Sequence, residues 1–209
     1  MDVNQFMQEL AASGKHAARA LARASGENKR RALLTLADLL RSNEATLLKV
    51  NERDVRAATD QGLDSARIDR LTLTPRVVES MAEACEHVAG LPDPVGSIDS
   101  MAKRPNGMLV GRMRIPLGVV AMIFESRPNV TIDAGILCVY AGNGLILRGG
   151  SEAYQSNQAL AGLFSQALID NGLPAEAVQL VPTTDREAVT AMLHLDEYID
   201  VVIPRGGEG

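Results

Sequence analysis

Apolar and polar positions follow two regimes along the chain. Through residues 3–90 apolar side chains recur every three or four positions, the spacing of helices that bury one face. Phe6, Leu10, Ala17, Leu21 and Ala24 form one stripe and predict a helix over 3–24, broken at Ser25-Gly26. A second helix, from Glu27, buries Leu33, Leu34, Leu36, Ala37 and Leu40; a third covers 44–58 and stops before Gln61-Gly62. Residues 63–73 read as a short helical turn and linker. Thr74 as N-cap with Pro75 behind it starts a helix to about Ala89.

The second regime begins after the turn-rich stretch from Gly90 to Gly96. Residues 97–101 and 108–115 predict two short strands around Arg104-Pro105-Asn106-Gly107, a strong hairpin signal. Their apolar positions do not alternate, which marks an arm or an edge ribbon. From Pro116 onward, short wholly apolar runs alternate with helical patterns, as expected for parallel strands covered on both faces. Leu117–Phe124 ends at Glu125-Ser126-Arg127-Pro128-Asn129, and Leu145–Leu147 ends at Arg148-Gly149-Gly150-Ser151. Ser151 is expected to cap a helix to Asn171, where Gly172 and Pro174 stop it. A third strand covers 177–181. Thr184-Asp185-Arg186-Glu187 reads as a capping box for a helix to about His194. A fourth strand, 198–203, leads into Pro204-Arg205-Gly206-Gly207-Glu208-Gly209. The expected fold class is therefore α/β: an N-terminal helical region over 1–96, a hairpin arm over 97–115, and a Rossmann-like parallel sheet with covering helices and right-handed crossovers over 116–209.

Composition narrows the function. The chain has 209 residues, a net charge of −5 and a pI near 5.3, against a basic nucleic-acid surface. Aromatic residues make up 3% and Trp is absent, so stacking platforms for bases are not expected. Cys85 and Cys138 are the only cysteines, both in apolar helical surroundings, and read as reduced, packed thiols rather than a disulfide framework. No apolar run approaches the ~20 residues that span a bilayer. The N-terminus lacks a basic-then-apolar signal pattern. A cytoplasmic enzyme with no membrane or nucleic-acid partner and no metal is expected. Lys29-Arg30-Arg31, among acids at Glu27, Asp38 and Glu44, reads as a solvated helix face.

Candidate chemistry lies at the strand ends, where open α/β sheets collect ligands. At Arg148-Gly149-Gly150-Ser151 a strand ends in a cation, two residues without a Cβ permit close approach, and a helix opens with free N–H groups suited to phosphate. The same turn can equally be chosen for tight packing. Arg205-Gly206-Gly207 repeats the pattern, so the two turns together suit one polyphosphate ligand. No GxGxxG fingerprint is present. Asn129 can be a plain turn residue or an amide that supports an oxyanion.

The runs PLGVVAMIFESRPNVTIDAG, AGNGLILRGGSEAYQSN and YIDVVIPRGGEG, with IDRL at 68–71, LTP at 73–75 and DPVG at 93–96, resemble the γ-glutamyl phosphate reductase (glutamate-5-semialdehyde dehydrogenase) family of the aldehyde dehydrogenase superfamily. The resemblance covers essentially the whole chain and only the N-terminal, cofactor-binding half of that family. It implies an NADP-dependent oxidoreductase of proline biosynthesis that reduces L-glutamyl 5-phosphate with NADPH to L-glutamate 5-semialdehyde and phosphate. By resemblance, Arg148 holds the adenosine ribose, Gly149, Gly150 and Ser151 skirt the 2′-phosphate, and Gly206 and Gly207 lie near the pyrophosphate. Asn129 supports the oxyanion, while Glu125 and Arg127 bind the glutamyl group or orient its turn. The nucleophilic cysteine of the family, which forms a thioester, belongs to a second domain absent from this chain, and neither Cys85 nor Cys138 matches its motif. The resemblance thus implies an active parent enzyme, homo-oligomeric when full-length, and a 209-residue chain that is inactive alone. Association with a glutamate 5-kinase rests on the shared pathway. The alternative is a non-catalytic truncated paralogue serving as a dinucleotide-binding or co-assembly module.

Overall fold

A computed structural model describes residues 2–206. Five helices come first: α1 (Val3–Leu21), α2 (Gly26–Ser42), α3 (Glu44–Asp60), α4 (Ser65–Leu71) and α5 (Pro75–Ala89). Their starts follow local capping chemistry. Ser25 Oγ accepts from Asn28 N–H at 3.1 Å, Asp64 Oδ1 from Arg67 N–H at 2.9 Å, and Thr74 Oγ1 from Val77 N–H at 3.3 Å, with Pro75 in the first turn. Helix α1 stops short of the expected Ala24 because Ser25 is drawn into capping α2.

An antiparallel hairpin follows, β1 (Ile98–Lys103) paired with β2 (Leu109–Met113), every strand residue of which is exposed. A ribbon that buries neither face has no reason to alternate, which accounts for its irregular pattern.

The remaining elements are β3 (Val119–Phe124), α6 (Val130–Tyr140), β4 (Gly144–Arg148), α7 (Tyr154–Asp170), β5 (Val178–Leu180), α8 (Glu187–Leu193) and β6 (Val201–Arg205). The four strands make one parallel sheet in the order β5-β4-β3-β6. Alternate residues of β3 feed opposite sides: Val120 and Phe124 enter the core beneath α2, α5, α6 and α7, whereas Val119 and Ala121 meet α1 and α8. The first five helices are therefore not an appendage, since α1 packs on one face of the sheet and α2 and α5 back the helices on the other.

Three local expectations need correction. Lys29 is not on a solvated face: it is 1% exposed, with its Nζ bonded to Asp93 Oδ1 (3.0 Å) and to the Tyr140 carbonyl (3.1 Å) at the end of α6. A buried ammonium needs such partners, and here they tie α2, the α5–β1 turn and α6 together. Ser151 does not cap α7, because residues Ser151–Ala153 form a 3-10 turn first. The capping box before α8 does not form either. Asp185 Oδ1 accepts from Glu187 N–H at 2.9 Å, an Asx turn, and no side chain caps the helix.

Candidate functional site

The strand order reverses between β3 and β6, since β4 and β5 build outward on one side of β3 and β6 returns to the other. Such a switch point leaves a crevice at the carboxyl ends of its two strands. A cleft of ≈ 340 Å³ opens there, lined by Phe124, Glu125, Ser126 and Arg127 after β3, Arg205 and Gly206 at the end of β6, and Arg67 and Arg70 from α4. A second cleft continues past Arg70 and Arg127 to Asp69, Arg76, Asn129 and Asp133.

The parallel register fixes how the two strand-end arginines stand. Ile123 of β3 is level with Arg148 of β4, and Phe124 is level with Arg205 of β6. Consecutive positions of a strand face opposite ways, so Arg148 belongs to the α8 side of the sheet and Arg205 to the α6 side. Their contacts agree. Arg148 Nη2 donates to the Thr184 carbonyl ahead of α8 at 2.8 Å, whereas Arg205 acts electrostatically on Asp133 of α6. A single ligand reaching both must cross the carboxyl edge of the sheet.

The turn after β4 is largely closed on itself. Arg148 Nη1 donates to the Gly149 carbonyl at 2.7 Å, and its Nε is buried without a partner among the described residues. Burial lowers the pKa of this guanidinium, with Arg186 adding to the effect and Glu152 and Asp185 opposing it. A Cβ at Gly149 would lie 2.2 Å from Asn157 Nδ2 and 3.1 Å from the Phe124 ring, so this glycine is required by packing. Gly150 is covered by the Glu152 carboxylate, whose Oε1 accepts from Ser126 Oγ at 2.6 Å and ties the turns after β3 and β4 together. Ser151 is exposed at the rim.

The opening of α7 is closed as well. Buried Asp54 of α3 accepts from Gln155 N–H at 3.4 Å and from Ser156 N–H and Oγ, each at 2.7 Å. Its carboxylate occupies the position where a phosphate would sit on a free helix N-terminus. Burial raises the Asp54 pKa, and these hydrogen bonds counter the rise. The free amides expected behind Ser151 are therefore satisfied by the protein itself.

The turn after β3 has the opposite character. Arg127 and Glu125 are exposed at the cleft, and a Cβ on Gly206 would come within 2.8 Å of Glu125 Oε1. Asn129 stands at the start of α6 and spends one amide hydrogen on Asp133 Oδ2 at 2.8 Å. Burial raises the Asp133 pKa, against the pull of that bond and of Arg205. The structure thus brings Glu125, Arg127 and Gly206 to one cleft, Asn129 to its continuation, and Arg148–Ser151 to the far side of the edge. Gly207 lies outside the described residues.

Sequence reasoning missed Asp54, Glu152, and the reach of Arg67 and Arg70 into the cleft. Only the last pair carried a local signal, its spacing of three on a short helix. Neither thiol is built for nucleophilic work: burial pushes Cys85 up to about 12 and Cys138 up to about 11. Among the described residues no group of three or more His, Cys, Asp or Glu is placed to hold a metal ion, and no helix is long and apolar enough to cross a membrane.

A model of the aldehyde dehydrogenase family matches residues 2–208. The chain is 57% identical over 208 residues to a gamma-glutamyl phosphate reductase of Oleidesulfovibrio alaskensis, covering 100% of this chain and 50% of that protein. The crystal structure of a gamma-glutamyl phosphate reductase from Thermotoga maritima matches 97% of this chain and 49% of its own, with a TM-score of 0.93 at 37% identity. At the level of fold alone, an engineered glycolyl-CoA reductase with bound NADP+ matches 96% of this chain and 42% of its own, with a TM-score of 0.68 at 20% identity. The chain spans about half the length of the curated relatives it matches.

Proposed function

Because this chain belongs to the aldehyde dehydrogenase family, we propose that it forms the NADPH-binding portion of a γ-glutamyl phosphate reductase. The parent enzyme would reduce L-glutamyl 5-phosphate to L-glutamate 5-semialdehyde and phosphate in proline biosynthesis. The observation that carries this reading is the switch-point crevice between β3 and β6, walled by cations and joined over the sheet edge to Arg148. The likeness in sequence to reductases of that name supports it over a dinucleotide-binding paralogue.

The residues present fit the cofactor in a particular way. Asp54 closes the α7 amides, so the β4 turn would act through side chains: Arg148 on the adenosine ribose and exposed Ser151 beside the 2′-phosphate. Arg186, close enough to Arg148 to influence its ionisation, adds a second cation on that side. Gly149 and Gly150 keep the turn low along the same edge, and Gly206 with Gly207 would border the pyrophosphate. When bound, the cofactor supplies hydride. Arg127 and Glu125 would meet the glutamyl group, and Asn129, with its second amide hydrogen, would steady the acyl oxygen.

The chain alone is expected to lack turnover, because the family's reaction needs a thiolate and both thiols here are held protonated. The exposed hairpin, with Ile98, Met101, Leu109 and Met113 open, is the proposed surface for homo-oligomer formation. A cytoplasmic location fits such a biosynthetic role, and association with a glutamate 5-kinase rests on the shared pathway. Calorimetric titration tests the cofactor assignment. NADPH should bind, and Arg148→Ala should weaken it about tenfold, the loss of one charge-assisted contact. Undetectable NADPH binding, or equal affinity in the variant, would contradict it.

A further inference from the structure

The cleft between β3 and β6 carries more positive charge than the cofactor assignment uses. Arg67 and Arg70, one helical turn apart on α4, line it together with Arg127 and Arg205 from two strand ends. Arg67 has a partner at the exposed rim, Asp64, at 3.3 Å. Arg70, Arg127 and Arg205 enter no ion pair among the described residues. Against these four guanidinium groups the described lining sets one carboxylate, Glu125, so a positive excess remains that a bound anion would offset. Guanidinium forks also match the oxygens of a phosphoryl group better than a point cation does.

The cofactor accounts for only part of this charge, with its pyrophosphate assigned to the Gly206 border of the cleft. Its adenosine side is assigned to Arg148 and Ser151, across the sheet edge on the α8 face, whereas the arginine cleft opens on the α6 face. The amides at the start of α7 are already held by Asp54.

We propose that Arg67 and Arg70 on α4, with Arg127 and Arg205, form the subsite for the phosphoryl group of the substrate, the group that leaves as inorganic phosphate. This rests on the reading of the chain as part of an acyl-phosphate reductase, and it makes α4 a specificity element for phosphorylated over free carboxylates. Arg127, beside Glu125, then stands where the glutamyl group meets its phosphoryl end.

Inorganic phosphate is the probe. Titrated calorimetrically into the 209-residue chain, at constant ionic strength set with chloride, it should bind. Arg70→Ala should weaken it about tenfold, Arg70→Lys less, and Arg56→Ala, on the exposed face of α3, not at all. Circular dichroism of each variant separates lost binding from lost fold. NADPH, titrated in parallel, should bind Arg70→Ala as well as the unmodified chain. Absence of phosphate binding, or equal losses for Arg70→Ala and Arg56→Ala, would overturn the proposal. So would a loss of NADPH affinity matching the loss for phosphate, which would give the subsite to the cofactor. Phosphate binding through Arg70 in a chain that does not bind NADPH would instead spare the subsite and sink the cofactor assignment.

Discussion

The turns after β4 and β3 are written alike, an apolar strand running into arginine and small polar residues before a helix, yet they end in opposite states. After β4 most polar groups turn inward, with Ser151 left exposed at the rim. Arg148 donates one hydrogen each to the Gly149 and Thr184 carbonyls, Asn157 and Phe124 close over Gly149, and Asp54 holds the α7 amides. After β3 the charged groups turn outward, with Glu125 and Arg127 exposed on a cleft that Arg205 borders from β6, while Ser126 is tied back to Glu152. The difference comes from position in the sheet. β4 lies between β5 and β3, and Asp54 of α3 and the segment ahead of α8 close over the turn that follows it. β3 stands at the switch point, where no crossover covers the strand ends. An apolar strand running into arginine and small polar residues specifies a turn. Neighbours decide whether that turn is structure or site.

The sealed turn should fail as structure. Asp54→Ala strands two α7 amides and the Ser156 hydroxyl in a buried setting, and should cost about 3 kcal/mol in urea unfolding. A loss under about 1 kcal/mol would mean that water or another group takes over. The pH dependence has a definite sign. Burial raises the Asp54 pKa above its ordinary 3.8, so the folded state keeps that proton longer than the unfolded chain does. This group's contribution therefore declines as pH rises through the window above 3.8, and Asp54→Asn should flatten that part of the stability profile. Gly149→Ala should cost about 2 kcal/mol, because the new methyl meets Asn157 and Phe124.

The open turn should fail as a site. Arg127→Ala is expected to change stability by no more than about 0.5 kcal/mol, since its guanidinium enters no ion pair among the described residues, while weakening phosphate binding. A large stability loss there would erase the contrast between the two turns. The smallest expected signal is a null one. With thiols held up to about 12 and about 11, Cys85 and Cys138 should react with a disulfide reagent at pH 8 only on unfolding. Rapid labelling of the native chain would reopen the question of a nucleophile.

Most of the fold was legible because its signals are local. Thr74-Pro75 starts α5 where the sequence places it, and the apolar runs of β3 and β4 announce strands buried on both faces. The site was legible as a set of turns, and its long-range partners were not. Nothing near Ser151 signals that Asp54, about a hundred positions earlier, caps the next helix. Lys29, read beside Arg30 and Arg31 as a charge run, is buried because Asp93 and the end of α6 fold over it. Hydrophobic period locates such a residue on a helix. It does not reveal a partner contributed by another element.

The contrast between the two turns is tested most directly by amide chemical shifts of the labelled chain as NADPH is added. The account predicts shifts at Ser151, Arg205 and Gly206, along the carboxyl edge of the sheet, with the Gln155 and Ser156 amides unmoved because Asp54 retains them. Shifts concentrated on Gln155 and Ser156 would mean that the helix terminus after β4 accepts the phosphates after all, and would contradict it.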